Sequence, residues 1–344
     1  MPTRYDLDPE EIAALLVDEP AFRARQVFDG LHRGLRTPEE MTDLPGGLRD
    51  RVATLLPSAL EIVSASASDD GETIKWAFAL HDGAVIETVL MNYPDRVTVC
   101  VSSQAGCAMG CTFCATGQGG FRRHLGVGEI VEQVVAAARA AKPRRLSNIV
   151  FMGMGEPLAN YDRLLGAIRR INGPLGIGAR KITVSTVGVV PGIRRLAAEP
   201  LEVGLAVSLH AANDRSRDEL VPLNRRYPLG VLADACEAYL EATHRRLTFE
   251  WALIDGVNDT DRDVAELAAY ARPLRAHVNL IPLNPTPGYL VRGSSPERVR
   301  AFADALSAEG ITTTVRNTRG REIDAACGQL AARTGVTLRA KEER

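Results

Sequence analysis

No stretch of this 344-residue chain approaches the length of an uninterrupted membrane-spanning run, and the opening Met1-Pro-Thr-Arg-Tyr-Asp6 lacks the apolar segment of a signal peptide. Both absences predict a soluble, cytoplasmic protein without membrane contact. Cysteine is scarce, at six residues, and in a reducing compartment thiols act as ligands or catalysts rather than structural bridges. Net charge is nearly absent too. A formal value of -2 decides nothing about partners, because basic residues can still gather in patches. They do gather: Arg23, Arg25, His32, Arg33 and Arg36 share one segment, and Arg122-Arg123-His124, Arg144-Arg145, Arg180-Lys181, Arg225-Arg226 and Arg245-Arg246 recur as pairs. Each pair alone reads equally well as solvated surface charge. Several around one cleft would contact phosphates.

What is present is a composition of 45% hydrophobic and 24% charged residues, enough for one large α/β domain with a small appendage. Residues 9–56 read as short helices, with Phe22, Val27, Phe28, Leu31 and Leu35 at helical spacing and a basic face. Thr73 to Leu80 and Val85 to Met91 flank His81-Asp82-Gly83, a hairpin signal. From about residue 96 β-branched runs alternate with helical patterns. The runs are Val97 to Ser102, Asn148 to Met152, Lys181 to Ser185, Val203 to Leu209, Leu247 to Ile254 and Val278 to Leu283. Helices are expected over 128–141, 160–171, 229–243, 261–271 and 296–309, a last strand over 311–316, and a helical tail around Ala325 to Arg333. Six β/α units imply a parallel sheet, doubly wound or a partial barrel. Polar and glycine residues collect where the runs end, which favours an incomplete barrel with its site at the mouth.

Half of the cysteines fall in Cys107-Ala-Met-Gly-Cys111-Thr-Phe-Cys114, a C-x3-C-x2-C loop carrying Gly106 and Gly110. Structural zinc wants four protein ligands and this loop offers three. A 4Fe-4S cluster on three thiolates leaves one iron open for a small ligand. The spacing resembles that of the radical S-adenosylmethionine (SAM) superfamily, in which the open iron chelates SAM.

Gly153-Met-Gly155-Glu156-Pro157 follows the second run. Its glycines let backbone approach a ligand closely, and Glu156 is able to accept a hydrogen bond from an amine. After the cysteine triplet it resembles the superfamily's loop for the amino group of SAM, which makes Gly155, Glu156, Ser185, Ser208, Leu209, His210 and Asn284 candidate cofactor contacts. Cys236 reads as a helix core residue, Cys100 as a small core residue or a functional thiol, and Cys327 as a reactive loop thiol or a buried one. Glu87 is a carboxylate in an apolar strand, compatible with a solvent-facing hairpin edge.

Together, Cys100-Val-Ser-Ser-Gln104-Ala-Gly-Cys107, the triplet running on to Phe121, Gly153 to Pro157, Ser208-Leu-His210, Asp324-Ala-Ala-Cys327-Gly-Gln-Leu330 and Phe22-Arg-Ala-Arg-Gln26 resemble one family. It is the bacterial dual-specificity ribosomal and transfer RNA adenine-C2 methyltransferases of the radical SAM superfamily. His124 departs from the asparagine of that pattern.

The resemblance implies an α/β fold: a partial (β/α)6 radical SAM barrel (95–318), a small N-terminal helical domain with a probable RNA-binding role (1–58), a β-hairpin connector (59–94) and a C-terminal segment bearing the methyl-accepting cysteine (319–344). It implies a 4Fe-4S cluster on Cys107, Cys111 and Cys114, two SAM per turnover, and 23S rRNA (adenine 2503) and tRNA (adenine 37) as substrates. It further implies an electron donor such as flavodoxin or ferredoxin, and a monomer. By the same resemblance Cys327 takes a methyl from one SAM, and a radical made from a second SAM activates that methyl for addition to C2. Glu87 then accepts the C2 proton and Cys100 resolves the RNA adduct through a transient disulfide with Cys327. A C8-methylating relative conferring antibiotic resistance is the nearest alternative. Pro157, the Leu280-Ile-Pro-Leu-Asn284-Pro stretch and the full N-terminal helical region favour C2. A zinc-clasped RNA-binding module without catalysis is the alternative of a different class.

Overall fold

The computed structural model describes residues 2–286, 288–316 and 319–331. Three helices open the chain: α1 (Pro9–Leu15), α2 (Phe22–His32) and α3 (Gly46–Leu55). A capping box starts α1, since the Asp8 carboxylate accepts from Glu11 N–H at 2.9 Å while the Glu11 carboxylate accepts from Asp8 N–H at 2.8 Å. Ile12, Val27, Phe28, Leu31, Leu48 and Val52 turn inward and are buried. His32 corrects the expected basic face. It is buried, stacks on Phe28 at 4.1 Å and donates from Nδ1 to the Phe28 carbonyl. Burial pushes its pKa down to about 4, so at neutral pH it is an uncharged core residue.

Next come β1 (Glu61–Ser68), β2 (Thr73–Ala79), β3 (Val85–Asn92), β4 (Val97–Cys100) and β5 (Gln104–Gly106), then α4 (Ala115–Gln118), β6 (Phe121–His124), α5 (Val127–Ala140), β7 (Asn148–Phe151) and α6 (Tyr161–Asn172). The remainder alternates: β8 (Ile182–Thr186), α7 (Val190–Ala197), β9 (Gly204–Ser208), α8 (Asp214–Leu220), α9 (Leu229–Thr243), β10 (Leu247–Leu253), α10 (Asp261–Ala271), β11 (His277–Pro282), α11 (Pro296–Ala308) and β12 (Thr313–Val315).

Ten strands form one sheet in the order β1-β2-β3-β4-β7-β8-β9-β10-β11-β12, and β5 and β6 form a separate ribbon. From β4 to β12 every neighbour pair is parallel, and the first three pairs are antiparallel. The hairpin is thus continuous with the parallel sheet, because β3 pairs directly with β4 (Val89 opposite Cys100, Leu90 opposite Val99). Ile149, Phe151, Val184, Leu205, Phe249, Trp251 and Leu280 are buried, as expected of parallel strands covered by helices. Strand β1 was not expected. Its Glu-Ile-Val-Ser-Ala-Ser-Ala-Ser carries little apolar content, and as an edge strand it is mostly exposed.

The expected helical tail is corrected over its described part. Residues 325–331 are irregular, and Arg333 lies outside the described residues. Asp324 and Gly328 adopt φ of 51° and 84°, incompatible with a continuing helix, and the segment bonds to distant elements as well as within a local turn from Gln329 N–H to the Ala326 carbonyl. Among the described residues no helix is long and apolar enough to cross a membrane.

Candidate active site

The C-terminal ends of the parallel strands open into one cleft. Cys107, Cys111, Cys114, Gly155, Glu156, Ser185, Ser208, His210, Asn284 and Cys327 all line it, so residues scattered over 220 positions of sequence meet at one mouth. Leu209 is the exception. Its side chain is fully buried in the core, while its backbone N–H donates to the Glu250 carbonyl.

The cysteine loop is shaped by glycine. A Cβ on Gly106 would stand 2.0 Å from the Gly120 carbonyl, which accepts from the Cys107 N–H at 2.8 Å. Gly106 and Gly110 both take positive φ, which lets the loop fold back so that its thiols face inward. Burial pushes the Cys107 thiol up to about 12 and Cys111 well above its ordinary value, with neighbouring thiols and Glu156 adding to both.

Glu156, almost fully buried, is clasped by its own surroundings. Its carboxylate accepts from Leu158 N–H at 3.0 Å and Val187 N–H at 2.9 Å, with Thr186 as a further side-chain partner, and burial raises its pKa to about 7. It therefore braces the loops after β7 and β8 against each other at the cleft wall. Gly153 and Gly155 have no room for a side chain: a Cβ would lie 2.7 Å from the Val101 backbone and 2.5 Å from Gln104 Cβ respectively. Ser185 and Ser208 stand side by side, Oγ to Oγ 3.5 Å.

His210 accepts from the Ala252 N–H through Nδ1 at 2.9 Å, which puts its proton on Nε2. Burial, with Arg217 adding, pushes its pKa to about 3, so it is a neutral donor and not a base. Arg217 gave no signal in the sequence. Fully buried, it donates to the carbonyls of Leu209 (3.1 Å) and Val187 (2.7 Å) and to Asn224 Oδ1 (2.8 Å), tying together the loops that follow β8 and β9.

Cys327 lines the cleft and also a smaller adjoining cavity that contains Cys100, Tyr93, Met152, Asn284 and Arg316. The segment around it is fastened from several sides. Asn284 Nδ2 donates to the Cys327 carbonyl (3.1 Å), Thr116 Oγ1 to the Leu330 carbonyl (2.6 Å), and Ala115 N–H to the Gly328 carbonyl (2.8 Å), so the helix after the cysteine loop carries it directly. Burial pushes the Cys100 thiol up to about 12, and a negative Cys327 would add to this, while Arg316 opposes it. Arg316, also missed in the sequence, lines both cavities. Glu87 stands outside the lining of both. It is buried rather than on a solvent face, pairs with Lys75 at 3.0 Å and accepts from Ala331 N–H at 2.8 Å.

The radical SAM superfamily matches residues 101–269. A probable dual-specificity RNA methyltransferase RlmN from Salinispora tropica is 52% identical, with 96% of this chain and 92% of that one covered. One from Thermobifida fusca is 52% identical over 95% and 94% of the two chains. The crystal structure of a radical SAM methyltransferase from Sphaerobacter thermophilus superposes with a TM-score of 0.94 at 54% identity, covering 97% of this chain and 100% of that one. The chain belongs to the RlmN family of radical SAM RNA methyltransferases.

The residues of this RlmN-family chain fit the cofactors that radical SAM proteins use. Cys107 and Cys111 resist ionisation where they stand, and a cationic centre at the loop would offset that cost. Among the described residues no group of three ligands stands close enough for a single metal ion. A 4Fe-4S cluster takes each of three thiolates on a different iron, and Cys107, Cys111 and Cys114 all line the one cleft. Several of the basic residues, by contrast, are spent within the fold. Arg123 forks onto Asp82 (2.7 Å) and Glu129 (2.8 Å), Arg36 pairs with Asp43 (2.7 Å), Arg144 caps the Tyr93 carbonyl (2.5 Å), and Arg180 pairs with Glu202 (2.6 Å). Arg122 is exposed beside Phe121, itself 43% exposed on β6.

Proposed function

We propose that the protein methylates C2 of adenine in RNA, at adenine 2503 of 23S rRNA and adenine 37 of tRNA, through a methyl carried on Cys327. The observation that carries this reading is the position of Cys327 at the junction of the cysteine-lined cleft and the cavity holding Cys100. A thiol there faces a methyl donor on one side and a second thiol on the other.

Cys107, Cys111 and Cys114 would hold the 4Fe-4S cluster, and the Gly153 to Pro157 loop, Ser185, Ser208, His210 and Asn284 would line the SAM site. When bound, cluster and SAM, two per turnover, supply the methyl group and the radical chemistry that an electron-poor ring carbon requires. Cys327 links to C2 through the methylene carbon. Glu87 takes the C2 proton, and the one electron left on the ring would return to the redox centre that the cluster supplies when bound. The Cys100 thiolate then attacks the Cys327 sulfur, so that an S–S bond forms as the S–CH2 bond breaks, and the carbon takes up a proton to become the methyl group. A cytosolic dithiol reopens the disulfide, and a flavodoxin or ferredoxin type donor supplies electrons. The shared cavity of Cys100, Arg316 and Cys327, and the bond from Ala331 N–H to the Glu87 carboxylate, support these roles.

The test is an anaerobic assay of iron-reconstituted protein with SAM and separate rRNA and tRNA substrates. We expect 2-methyladenine, none of it from Cys327→Ala, and an RNA-protein adduct that persists in Cys100→Ala. Sole formation of 8-methyladenine overturns the regiochemistry. Colourless protein carrying one zinc and no iron overturns the enzyme reading altogether.

A further inference from the structure

Lys75 lies on β2, across from β3, with its Nζ 3.0 Å from Glu87 Oε1. Both side chains are largely buried, at 14% and 8% exposure, so water screens the pair little. The same ammonium donates to the Asp324 carbonyl at 3.2 Å, three residues before Cys327. Four residues after Cys327, the Ala331 N–H donates to the other Glu87 oxygen at 2.8 Å. The ion pair therefore grips the Cys327 segment at both ends. A pair serving the hairpin alone would need no contact with a segment some 250 positions away, and a well-packed apolar pair would serve stability as well.

We propose that Lys75 is a positioning residue that locks Glu87 to the Cys327 segment, so that the base is in place only when the methyl-carrying thiol is docked. This rests on Glu87 acting as the base. Docking and base placement then become one event, because the ammonium that orients the carboxylate also holds the segment. Ser102 Oγ, donating to the Glu87 backbone carbonyl at 2.6 Å, fixes the strand beneath while the carboxylate is set from above.

The experiment uses full-length, cluster-reconstituted protein with SAM and transcribed RNA, comparing Lys75→Met, Lys75→Gln and Lys75→Arg. The readouts are the lifetime of the RNA-protein adduct, product formation, and amide hydrogen exchange of residues 324–331. In Lys75→Met the adduct should be released at least about tenfold more slowly, with faster exchange at 324–331, as expected when one member of a buried pair is removed. Lys75→Arg should restore both. Lys75→Gln takes the place of Lys75→Met should that variant fail to fold. Release at the unaltered rate in the uncharged variant overturns the proposal, as does slow release that Lys75→Arg leaves uncorrected. Cys100→Ala runs alongside. If it yields no adduct, the adduct chemistry fails, while the exchange of 324–331 still reports whether Lys75 holds the segment.

Discussion

Replacing Arg217 by methionine isolates the interaction that binds the site loops together. Methionine keeps the stem volume but removes three close hydrogen bonds from a buried guanidinium, at 2.7, 2.8 and 3.1 Å, and a longer one to the Ser208 carbonyl at 3.4 Å. The carbonyls of Val187 and Leu209 lose a charged donor, each costing about 1–3 kcal/mol when left buried and unmade. Asn224 keeps its contacts to Asp214 and Asp218 at 2.9 and 2.7 Å, so its loss is smaller. Against this stands the desolvation of the guanidinium, which already pulls its pKa down and is recovered on substitution. The net should be a loss of about 3–5 kcal/mol, in the range for breaking a buried charged network. At about 2–4 °C per kcal/mol for domains of a few hundred residues, melting should fall by roughly 6–20 °C. SAM affinity, read by equilibrium binding to anaerobic protein, should weaken with it, because Val187 and Ser208 line the cleft. Arg217→Lys should recover part of the loss, since a point charge reaches fewer of the three acceptors. A melting temperature unchanged in Arg217→Met would refute the reasoning.

Gly153→Ala and Gly155→Ala should each weaken SAM binding by at least about tenfold, the cost of displacing a tight backbone crossing, because the new Cβ meets Val101 backbone or Gln104; isothermal titration checks this. His210 has a folded pKa near 3 against about 6.5 unfolded, so between those values only the unfolded chain is protonated. Its stability contribution is therefore intact above about pH 6.5 and lost as pH falls toward 3, at up to about 1.4 kcal/mol per pH unit. Denaturant unfolding of His210→Gln should show a shallower acid slope, with the parallel contribution of His32 remaining. Arg316→Met should slow alkylation of Cys100 at fixed pH, since the thiol loses the one charge shown to favour its ionised form, and alkylation at the unaltered rate would remove Arg316 from the thiol chemistry.

The parallel strands were legible because each is a continuous β-branched run, and the cysteine and glycine loops because their residue types are chemically rare. Helices α7 and α8 escaped notice: they are short, at eight and seven residues, below the window over which helical periodicity is read from sequence. The tail failed for the opposite reason. Ala325-Ala326-Cys327-Gly328 has helix-compatible composition, yet its conformation is dictated by partners 40 to 250 positions away, among them Asn284, Thr116 and Lys75. Lys75, Arg217 and Arg316 carry no local pattern at all. Each is a single basic residue among many, distinguished only by where the fold buries it.

That contrast explains how the site divides its labour. Motifs that bind a small ligand must approach it with backbone and clustered thiols, so their chemistry is written in short runs such as Cys107 to Cys114 and Gly153 to Pro157. Residues proposed to act on the Cys327 thiol need no such run. They need a common distance to one segment, and the sheet provides it: β2 and β3 bring Lys75 and Glu87, β4 brings Cys100, and β12 is followed by Arg316, all converging on residues 324–331. The antiparallel extension at the sheet edge is what allows this, because β3 sets Glu87 on the strand beside Cys100 with Val89 opposite it. Without β2 and β3 the parallel core could still hold the cleft residues, but neither end of the Cys327 segment would meet Glu87 or Lys75. The adduct chemistry proposed for Cys327 would demand that second layer of residues, and a radical SAM cleft alone does not.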